Sequence, residues 1–364
     1  WDNDLPADAS TWNNAAGEIR ANYDALEAVL GVDLADVPIT NYIFDVRSTT
    51  YGATGDGSTD DTAAIQAALD AAVTNGGTVY FPSGGANNYK ITSPLTVAAG
   101  KSISIVGDGG DRTTTIVQAT ADNDIFQIGG DSTTTQFIHM AHLNLKGPSS
   151  GSGNGIVLTQ VHDSLFEDID VEVNTDSFHL NGCLRNTFEK CNNRSDGANL
   201  FHLSTAVAGS VKCNGNTFIG CWAESGANGT NGWLIDSMGG QGNNTIIGGG
   251  VESVTGYAVS AVDCRALNIY GLHVESTTSG IKLENCQNGT VQWSSWGGTK
   301  TDDEILLDSC NKMVISGFTN AVVLDADTTD CIVNTEWSAG SVGTISYSPT
   351  NQIFSNREGT TNLM

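Results

Sequence analysis

Positive charge is scarce in this chain of 364 residues. Fifteen Lys and Arg stand against 41 Asp and Glu, which gives a formal net charge of −26. Binding to phosphate groups needs clustered Lys and Arg, so we expect no nucleic-acid partner. An anionic membrane surface is disfavoured for the same reason. The acidity itself is typical of a highly soluble protein or of a salty habitat.

Long apolar runs are also lacking. No stretch of 18 apolar residues occurs, so we expect no membrane-spanning helix and no membrane insertion. No segment has the pattern of a secretory signal peptide, although the chain starts at Trp1 rather than at Met and a leader could precede it.

Common metal-binding motifs are absent as well. There is no C-x-x-C pair, no pair of His with zinc-ligand spacing on a helix, and no calcium-loop signature. The loop around Gly52–Gly57 also lacks the Lys of a phosphate-binding loop. We therefore expect no metal and no cofactor.

A degenerate repeat organises the second half of the chain. Its copies begin at Val161, Cys183, Cys213, Gln241, Cys264, Cys286, Cys310 and Cys331, at spacings of 22, 30, 28, 23, 22, 24 and 21 residues. Such a period indicates stacked supersecondary units. Apolar residues alternate within the units, as at Ile281 and Leu283, which indicates strands rather than helices. We predict a parallel β-helix in which each coil is buried against its neighbours.

The eight cysteines follow this repeat. Six of them occupy the first position of a copy. Neighbouring coils lie ~4.8 Å apart, which would allow disulfides, but free Cys is among the most buried residue types. We predict free, buried thiols that form a ladder inside the solenoid.

Residues 1–40 lie outside the repeat. Ser10 or Thr11 is a suitable N-cap for a helix over about residues 12–30, and Gly31 would end it. Its apolar residues recur with heptad spacing at Trp12, Ala16, Ile19, Tyr23, Leu26 and Leu30. Two arrangements fit this pattern: an amphipathic helix lying on its own chain, or a short bundle of subunits at a threefold axis.

The next segment contains a glycine-rich loop, a helix and a strand. It reads Tyr51-Gly-Ala-Thr-Gly-Asp-Gly-Ser-Thr-Asp-Asp-Thr, then Gly76-Gly-Thr-Val-Tyr-Phe-Pro82 and Tyr89-Lys-Ile-Thr. Ser58 or Thr59 is expected to cap the helix, with Asp60 and Asp61 in its first turn. The apolar stripe of the helix is Ile65, Ala68, Leu69 and Ala72. Such a helix could cover the open end of a solenoid and protect its unpaired strand edges.

This segment resembles the N-terminal motif of the pectate-lyase-like superfamily, which holds right-handed parallel β-helix glycosidases and lyases and many phage tailspikes. The preceding stretches, Leu5-Pro-Ala-Asp-Ala-Ser-Thr-Trp and Ile19-Arg-Ala-Asn-Tyr-Asp-Ala-Leu-Glu, are similar to the N-terminal parts of phage tail fibres and tailspikes. The resemblance implies an all-β, right-handed parallel β-helix with an N-terminal capping helix and a short N-terminal helical segment. It also implies a homotrimer located on a virion tail or outside the cell.

We expect four regions along the chain. Residues 1–40 form a helical segment for oligomerisation or particle attachment, and residues 41–100 form the N-terminal cap of the β-helix. Residues 101–337 form the β-helix that carries a glycan groove, and residues 338–364 form a C-terminal tail.

A column of glutamates is predicted on the outside of one strand of the repeat. Alternation places Glu224, Glu252 and Glu275 outward on consecutive coils, beside Trp222 and His273. Stacked carboxylates ~5 Å apart cannot all ionise cheaply, so at least one pKa should rise. A protonated and an ionised carboxylate at that spacing are what a retaining glycosidase uses. The same column could instead be a solvated surface with no catalytic role.

A second candidate cluster follows the next turn. His179 and His202 are expected to point outward on adjacent coils. The run Asn174-Thr175-Asp176 resembles the Asn-Thr-Asp motif of polygalacturonase-type glycosidases, in which Asp residues carry the chemistry, and Asp196 falls one coil later. The Gly-His-Gly and Arg-Ile-Lys motifs of that family are absent, which puts galacturonan as the substrate in doubt.

Together these residues predict a phage tailspike-like polysaccharide depolymerase. We expect an endo-glycosidase whose catalytic residues come from Glu224, Glu252, Glu275, Asp176 and Asp196. Trp222, His179, His202, Arg194 and His273 are expected to bind the polysaccharide substrate in one groove. Two alternatives remain: a polysaccharide lyase that acts on a uronate polymer by β-elimination, and a non-catalytic glycan-binding tail protein.

Overall fold

Parallel strands stacked into ladders make up the described part of this protein, whose structure is a computed structural model. It describes residues 42–83, 88–108, 114–148, 150–194, 197–205, 211–224, 229–236, 238–239, 242–275, 277, 279–293, 305–318, 322–336 and 350–356. All of these except Tyr42 belong to one unit, Ile43–Met364. The predicted class, an all-β right-handed parallel β-solenoid, is confirmed.

The elements of the described residues are strands, apart from one helix. In chain order they are β1 (Ile43–Asp45), β2 (Asp56–Asp60), α1 (Thr62–Asn75), β3 (Thr78–Phe81), β4 (Asn88–Ile91), β5 (Leu95–Val97), β6 (Ile103–Gly107), β7 (Thr115–Gln118), β8 (Phe126–Gly129), β9 (Thr135–Gln136), β10 (Ile138–Lys146), β11 (Ile156–Thr159), β12 (Val161–His162), β13 (Leu165–Glu172), β14 (Asp176–Asn181), β15 (Thr187–Glu189), β16 (Asn192–Asn193), β17 (Asn199–Ser204), β18 (Thr217–Ile219), β19 (Trp222–Glu224), β20 (Asn231–Ile235), β21 (Thr245–Ile247), β22 (Gly250–Glu252), β23 (Tyr257–Val262), β24 (Asn268–Tyr270), β25 (His273–Glu275), β26 (Ser279–Glu284), β27 (Thr290–Trp293), β28 (Ile305–Asp308), β29 (Val314–Phe318), β30 (Val322–Leu324), β31 (Ile332–Glu336) and β32 (Gln352–Asn356).

Three ladders of parallel strands form the sides of the solenoid. The first ladder runs β1, β3, β6, β10, β13, β15, β18, β21, β24, β27, β29, β31 and β32. The second ladder runs β2, β4, β7, β10, β13, β16, β19, β22 and β25. The third ladder runs β5, β8, β11, β14, β17, β20, β23, β26, β28 and β30. The short strands β9 and β12 also pair in parallel.

Two long strands pass from the first ladder to the second. Strands β10 and β13 turn the corner at His142 and Asp168, both of which have positive φ, of 58° and 52°. Later coils break at the same corner into two short strands, such as β15 and β16.

Like side chains stack on one another inside the solenoid. The ring of Phe188 lies between those of Phe166 and Phe218, at centroid distances of 4.9 and 5.2 Å. On the third ladder Phe178 stacks on Phe201 at 4.9 Å. All eight cysteines are free and buried, which confirms that prediction. In-register pairing of one repeat therefore builds the core.

Buried asparagines form a ladder of their own, each directly before a strand of the first ladder. This asparagine ladder was not predicted from the sequence. Asn216 Oδ1 accepts hydrogen bonds from the backbone N–H and the Nδ2 of Asn186, at 3.0 and 3.1 Å. Asn244 Oδ1 accepts the corresponding bonds from Asn216, both at 3.0 Å. The Nδ2 of Asn216 also donates to the carbonyl of Cys183 at 2.9 Å. Each side-chain amide thus hydrogen-bonds to backbone groups of a turn that lies outside the strand ladders.

The predicted helix is present as α1, and its buried residues are the predicted Ile65, Ala68, Leu69 and Ala72. Its predicted beginning is wrong, because Ser58 and Thr59 lie in β2 and Asp61 is the N-cap, without a side-chain cap bond. Asp60 Oδ1 accepts from the N–H of Thr62, the first residue of α1, at 3.1 Å, whereas Asp61 serves the preceding loop. The carboxylate of Asp61 accepts from the N–H groups of Thr54 and Gly55, at 2.7 and 3.0 Å.

The other predicted helix, over about residues 12–30, lies outside the described residues. The proposed role of α1 as a cover for the open end, and the four regional boundaries, stay predictions. Among the described residues no helix is long and apolar enough to cross a bilayer.

Replacing Asn216 by Ala should lower the free energy of unfolding by about 1–3 kcal/mol, because the buried N–H of Asn186 loses its acceptor. Chemical denaturation measures the change. The matched control is Asn243→Ala, one residue from the ladder and exposed, for which we expect a change within about 0.5 kcal/mol. Equal effects of the two substitutions would show that the ladder does not stabilise the turns.

Candidate active site

The outward residues of the second ladder form two columns. One column is Asp170, Asn192, Trp222, Gly250 and His273, paired in register from coil to coil. The other contains Glu224, Glu252 and Glu275, called here the carboxylate column. The residues between the columns, Ala223, Val251 and Val274, are buried. The structure therefore brings the predicted glutamates together on consecutive coils.

Glu252 and Glu275 of the carboxylate column lie close to His273. One carboxylate oxygen of each glutamate and one ring nitrogen of His273 all lie within 4.8 Å of one another. His273 Nε2 lies 3.2 Å from Glu275 Oε2. Burial, followed by the charges of Glu275 and Glu224, raises the pKa of Glu252. This is the direction expected for stacked carboxylates.

Arg194 lies between the two columns. Its Nε is 3.1 Å from Asp170 Oδ2, and its Nη1 is 3.7 Å from Glu224 Oε2. Further along the same ladder Lys146 pairs with Glu172 at 3.0 Å. These two cations are thus already opposed by carboxylates of the protein.

Trp222 lies along the ladder rather than standing straight out from it. A Cβ atom on Gly250 would be 2.8 Å from the indole ring, so the ring covers the coil that has no side chain. Beyond that coil the ring stacks on His273, with centroids 5.7 Å apart and planes 22° apart. The contact between Trp222 and Gly250 was not predicted, although the repeat shows that a glycine interrupts the column.

A second polar group, called here the histidine cluster, lies on the middle strands of the third ladder and comprises Asp176, His179, His202 and Asp236. His179 and His202 are partners in the register of β14 and β17, and their rings stack at 4.4 Å. Asp176 Oδ2 lies 2.7 Å from His202 Nδ1 and 3.4 Å from His179 Nδ1. His202 Nε2 lies 2.8 Å from Asp236 Oδ2.

The charges in the histidine cluster are set by these contacts. Burial opposes the charged form of His202, but Asp176 and Asp236 outweigh it and raise the pKa to about 9. Burial and the neighbouring His202 lower the pKa of His179. Burial would raise the pKa of Asp176, but the hydrogen bonds from His202 and Asn199 lower it overall. The cluster therefore holds an ionised carboxylate between imidazole rings.

Asp176 also belongs to a hydrogen-bonded ladder of amides. Its Oδ1 accepts from Asn199 Nδ2 at 2.6 Å, and Asn199 Oδ1 accepts from Asn231 Nδ2 at 2.9 Å. Below it, Asn154 Oδ1 accepts from the N–H of Asp176 at 3.2 Å. Asp176 therefore has a structural role whether or not it has a chemical one.

Some sequence predictions are not settled by this geometry. Asp196 lies outside the described residues. The single groove shared by the carboxylate column and the histidine cluster stays a prediction. Asp236 was not predicted as a site residue, although it directly follows β20, the strand that pairs with the strand of His202.

Comparison with known proteins identifies close sequence relatives for short segments only. Mannuronan C5-epimerase AlgE3 of Azotobacter vinelandii is 62% identical over 42 residues, which cover 11% of this chain and 2% of that protein. Alginate lyase 7 of the same organism is 48% identical over 65 residues, 16% of this chain and 7% of that protein. The chain thus matches a small part of the length of either relative.

Solved structures share the fold over most of the chain. The A-module of mannuronan C-5 epimerase AlgE6 from Azotobacter vinelandii has a TM-score of 0.59 at 18% identity, covering 86% of this chain and 99% of that one. ORF18 of Geobacillus virus E2 has a TM-score of 0.55 at 18% identity, covering 94% and 63%. The gp42 tailspike of Acinetobacter phage vb_AbaP_AS12 has a TM-score of 0.59 at 14% identity, covering 86% and 62%.

A family model covers most of the solenoid. The model described as rhamnogalacturonase A/epimerase, pectate lyase-like, matches residues 43–315, which include both the carboxylate column and the histidine cluster. The resemblance seen in the sequence is confirmed, and the chain belongs to this pectate-lyase-like family of rhamnogalacturonase A and epimerases.

Proposed function

We propose that the protein is a polysaccharide depolymerase, an endo-glycosidase that hydrolyses its substrate with Glu252 and Glu275. One observation carries this proposal: Glu252, with a raised pKa, has a carboxylate oxygen within 4.8 Å of one of Glu275. Retaining glycosidases place their two carboxyl groups ~5–5.5 Å apart. The family contains enzymes that act on polysaccharides, which agrees with this chemistry.

The two carboxyl groups divide the reaction between them. Protonated Glu252 donates its proton to the glycosidic oxygen while a carboxylate oxygen of Glu275 forms a bond to the anomeric carbon and the glycosidic bond breaks. Water then attacks the anomeric carbon, its proton passes to Glu252, and the bond to Glu275 breaks. His273 holds Glu275 in position through their 3.2 Å contact. A new reducing end is the product.

Neighbouring groups support this division of roles. Glu224 adds negative charge beside Glu252 and so favours its protonated form. Glu275 touches the imidazole ring of His273, which can donate a hydrogen bond to its ionised form. The indole of Trp222 lies on the same surface and offers an apolar face to a sugar ring.

Elimination on a uronate polymer is the second candidate, favoured by the short segment shared with a protein named alginate lyase. A lyase has to neutralise the substrate carboxylate. Arg194 and Lys146, two cations on this face, already pair with Asp170, Glu224 and Glu172. This surface suits a polymer with little charge better than a polyanion, so we favour hydrolysis.

The proposed setting is a virion tail or the space outside a cell. Structural neighbours with this fold include a phage tailspike. We also propose a homotrimer, which the resemblance to phage tailspikes implies and with which the heptad pattern in residues 12–30, outside the described residues, agrees.

Replacing Glu252 or Glu275 by Gln should lower the rate of polysaccharide hydrolysis by about 10²–10⁴-fold, because each substitution removes a proton-transfer or nucleophilic group. Release of reducing ends from capsular, exopolysaccharide and plant glycans measures the activity and identifies the substrate. The control is Glu284→Gln on the third ladder, where Glu284 pairs with Lys282 at 3.0 Å.

Undiminished hydrolysis in both glutamate variants would refute the assignment and leave Asp176 and Asp196 as candidates. Products that absorb near about 235 nm, from a new carbon–carbon double bond, would show elimination instead. Binding to a glycan without release of fragments would exclude both reactions.

Removing the charge of Glu224 should change the pH profile. Because Glu224 raises the pKa of Glu252, the substitution Glu224→Gln lowers that pKa, and the protonated acid is lost at a lower pH. The descending limb of kcat/KM against pH should therefore move to lower pH, while Glu284→Gln leaves it in place. A limb that does not move in Glu224→Gln would mean that Glu252 is not the acid.

A further inference from the structure

Three ligand atoms converge in the histidine cluster. Asp176 Oδ2 lies 2.7 Å from His202 Nδ1 and 3.4 Å from His179 Nδ1, and one such atom from each residue lies within 4.8 Å of the others. Two imidazole nitrogens and one carboxylate oxygen form a donor set that suits zinc and other divalent first-row metals. Calcium and magnesium prefer oxygen ligands alone.

The far atom of each of these residues is held by a further group. His202 Nε2 contacts Asp236 Oδ2 at 2.8 Å, Asp176 Oδ1 accepts from Asn199 Nδ2 at 2.6 Å, and His179 Nε2 lies 3.2 Å from Ser204 Oγ. Metal-binding histidines commonly engage their second nitrogen with a carboxylate or another oxygen in this way, which fixes the ring and its tautomer. The outer contacts therefore hold the three residues so that their ligand atoms stay within 4.8 Å of one another.

The backbone supports the same arrangement. Asp176 and His179 lie on β14 and His202 lies on β17, and these strands pair in register. The site is open to water, since the side chains of Asp176, His179 and His202 are 10%, 24% and 18% exposed. Water can therefore reach these side chains, and zinc sites with three protein ligands take water as the fourth ligand.

We propose that Asp176, His179 and His202 form a binding site for one divalent transition-metal ion of the zinc type, with Asp236 as the group that orients His202. On binding, the ion replaces the proton that His202 Nδ1 shares with Asp176, and that proton leaves to solvent. The site is separate from the carboxylate column and does not depend on hydrolysis by Glu252 and Glu275.

The test is metal binding to the whole chain after treatment with a chelator. Calorimetric titration with Zn²⁺ near neutral pH should give one ion per chain, and Co²⁺ should give visible absorption bands that report nitrogen ligation. Excess Ca²⁺ should not compete. Asp236→Asn keeps the three ligands and should weaken zinc binding about 10–100-fold, as losses of outer partners do.

Ligand variants can be chosen from the protein's own repeat, so that each substitution is already tolerated at that position of a neighbouring coil. His202→Leu copies Leu234, and His179→Val copies Val157, their partners in the register. Both should abolish the Co²⁺ bands and the calorimetric signal while circular dichroism stays that of the parent. His142→Gln, at an exposed histidine that pairs with Asp168, is the control and should bind normally.

Three results would overturn the proposal. The first is a parent protein that binds no Zn²⁺ or Co²⁺. The second is binding that survives in His202→Leu and His179→Val but is lost in His273→Gln, which would assign the ion to the carboxylate column. The third is a site that takes Ca²⁺ in preference to Zn²⁺.

Discussion

In-register pairing of parallel strands is the constraint on which the rest of the structure depends. Coils spaced ~4.8 Å apart place each residue directly over its counterpart in the repeat. Apolar residues gain from this, as the stacked rings of Phe166, Phe188 and Phe218 show. Polar residues need a partner on the next coil, and the asparagine ladder supplies one at a buried turn. Carboxylates have no such remedy, and burial together with the charges of Glu275 and Glu224 raises the pKa of Glu252.

Other local features arise where the repeat is interrupted. Arg194 forms ion pairs with neighbouring carboxylates. Gly250 has no side chain, and the indole of Trp222 fills the space above it. On the third ladder two coils carry histidine where their neighbours carry Val157 and Leu234. Each departure creates a local group of unlike residues on an otherwise uniform surface.

Much of the site could be predicted from sequence because it depends on alternation and period alone. The repeat and the period-two pattern place Glu224, Glu252 and Glu275 on consecutive coils, and they place His179 beside His202. Other features depend on contacts that neither pattern encodes. The helix begins at Thr62 because Asp61 is bound to the preceding loop, and Asp236 reaches His202 from the next coil. Spacing rules for helices likewise overlook side chains such as His179 and His202, which are far apart in sequence but meet across a ladder.

We propose that a polysaccharide is cut over Glu252 and Glu275 on the outward face of the second ladder. The decisive experiment is a crystal structure of the Glu252→Gln variant with an uncleaved fragment of the substrate. We expect a glycosidic oxygen within hydrogen-bond distance of the new amide, with the anomeric carbon facing Glu275. A fragment bound along another ladder, or one whose glycosidic bonds all lie away from both residues, would contradict it.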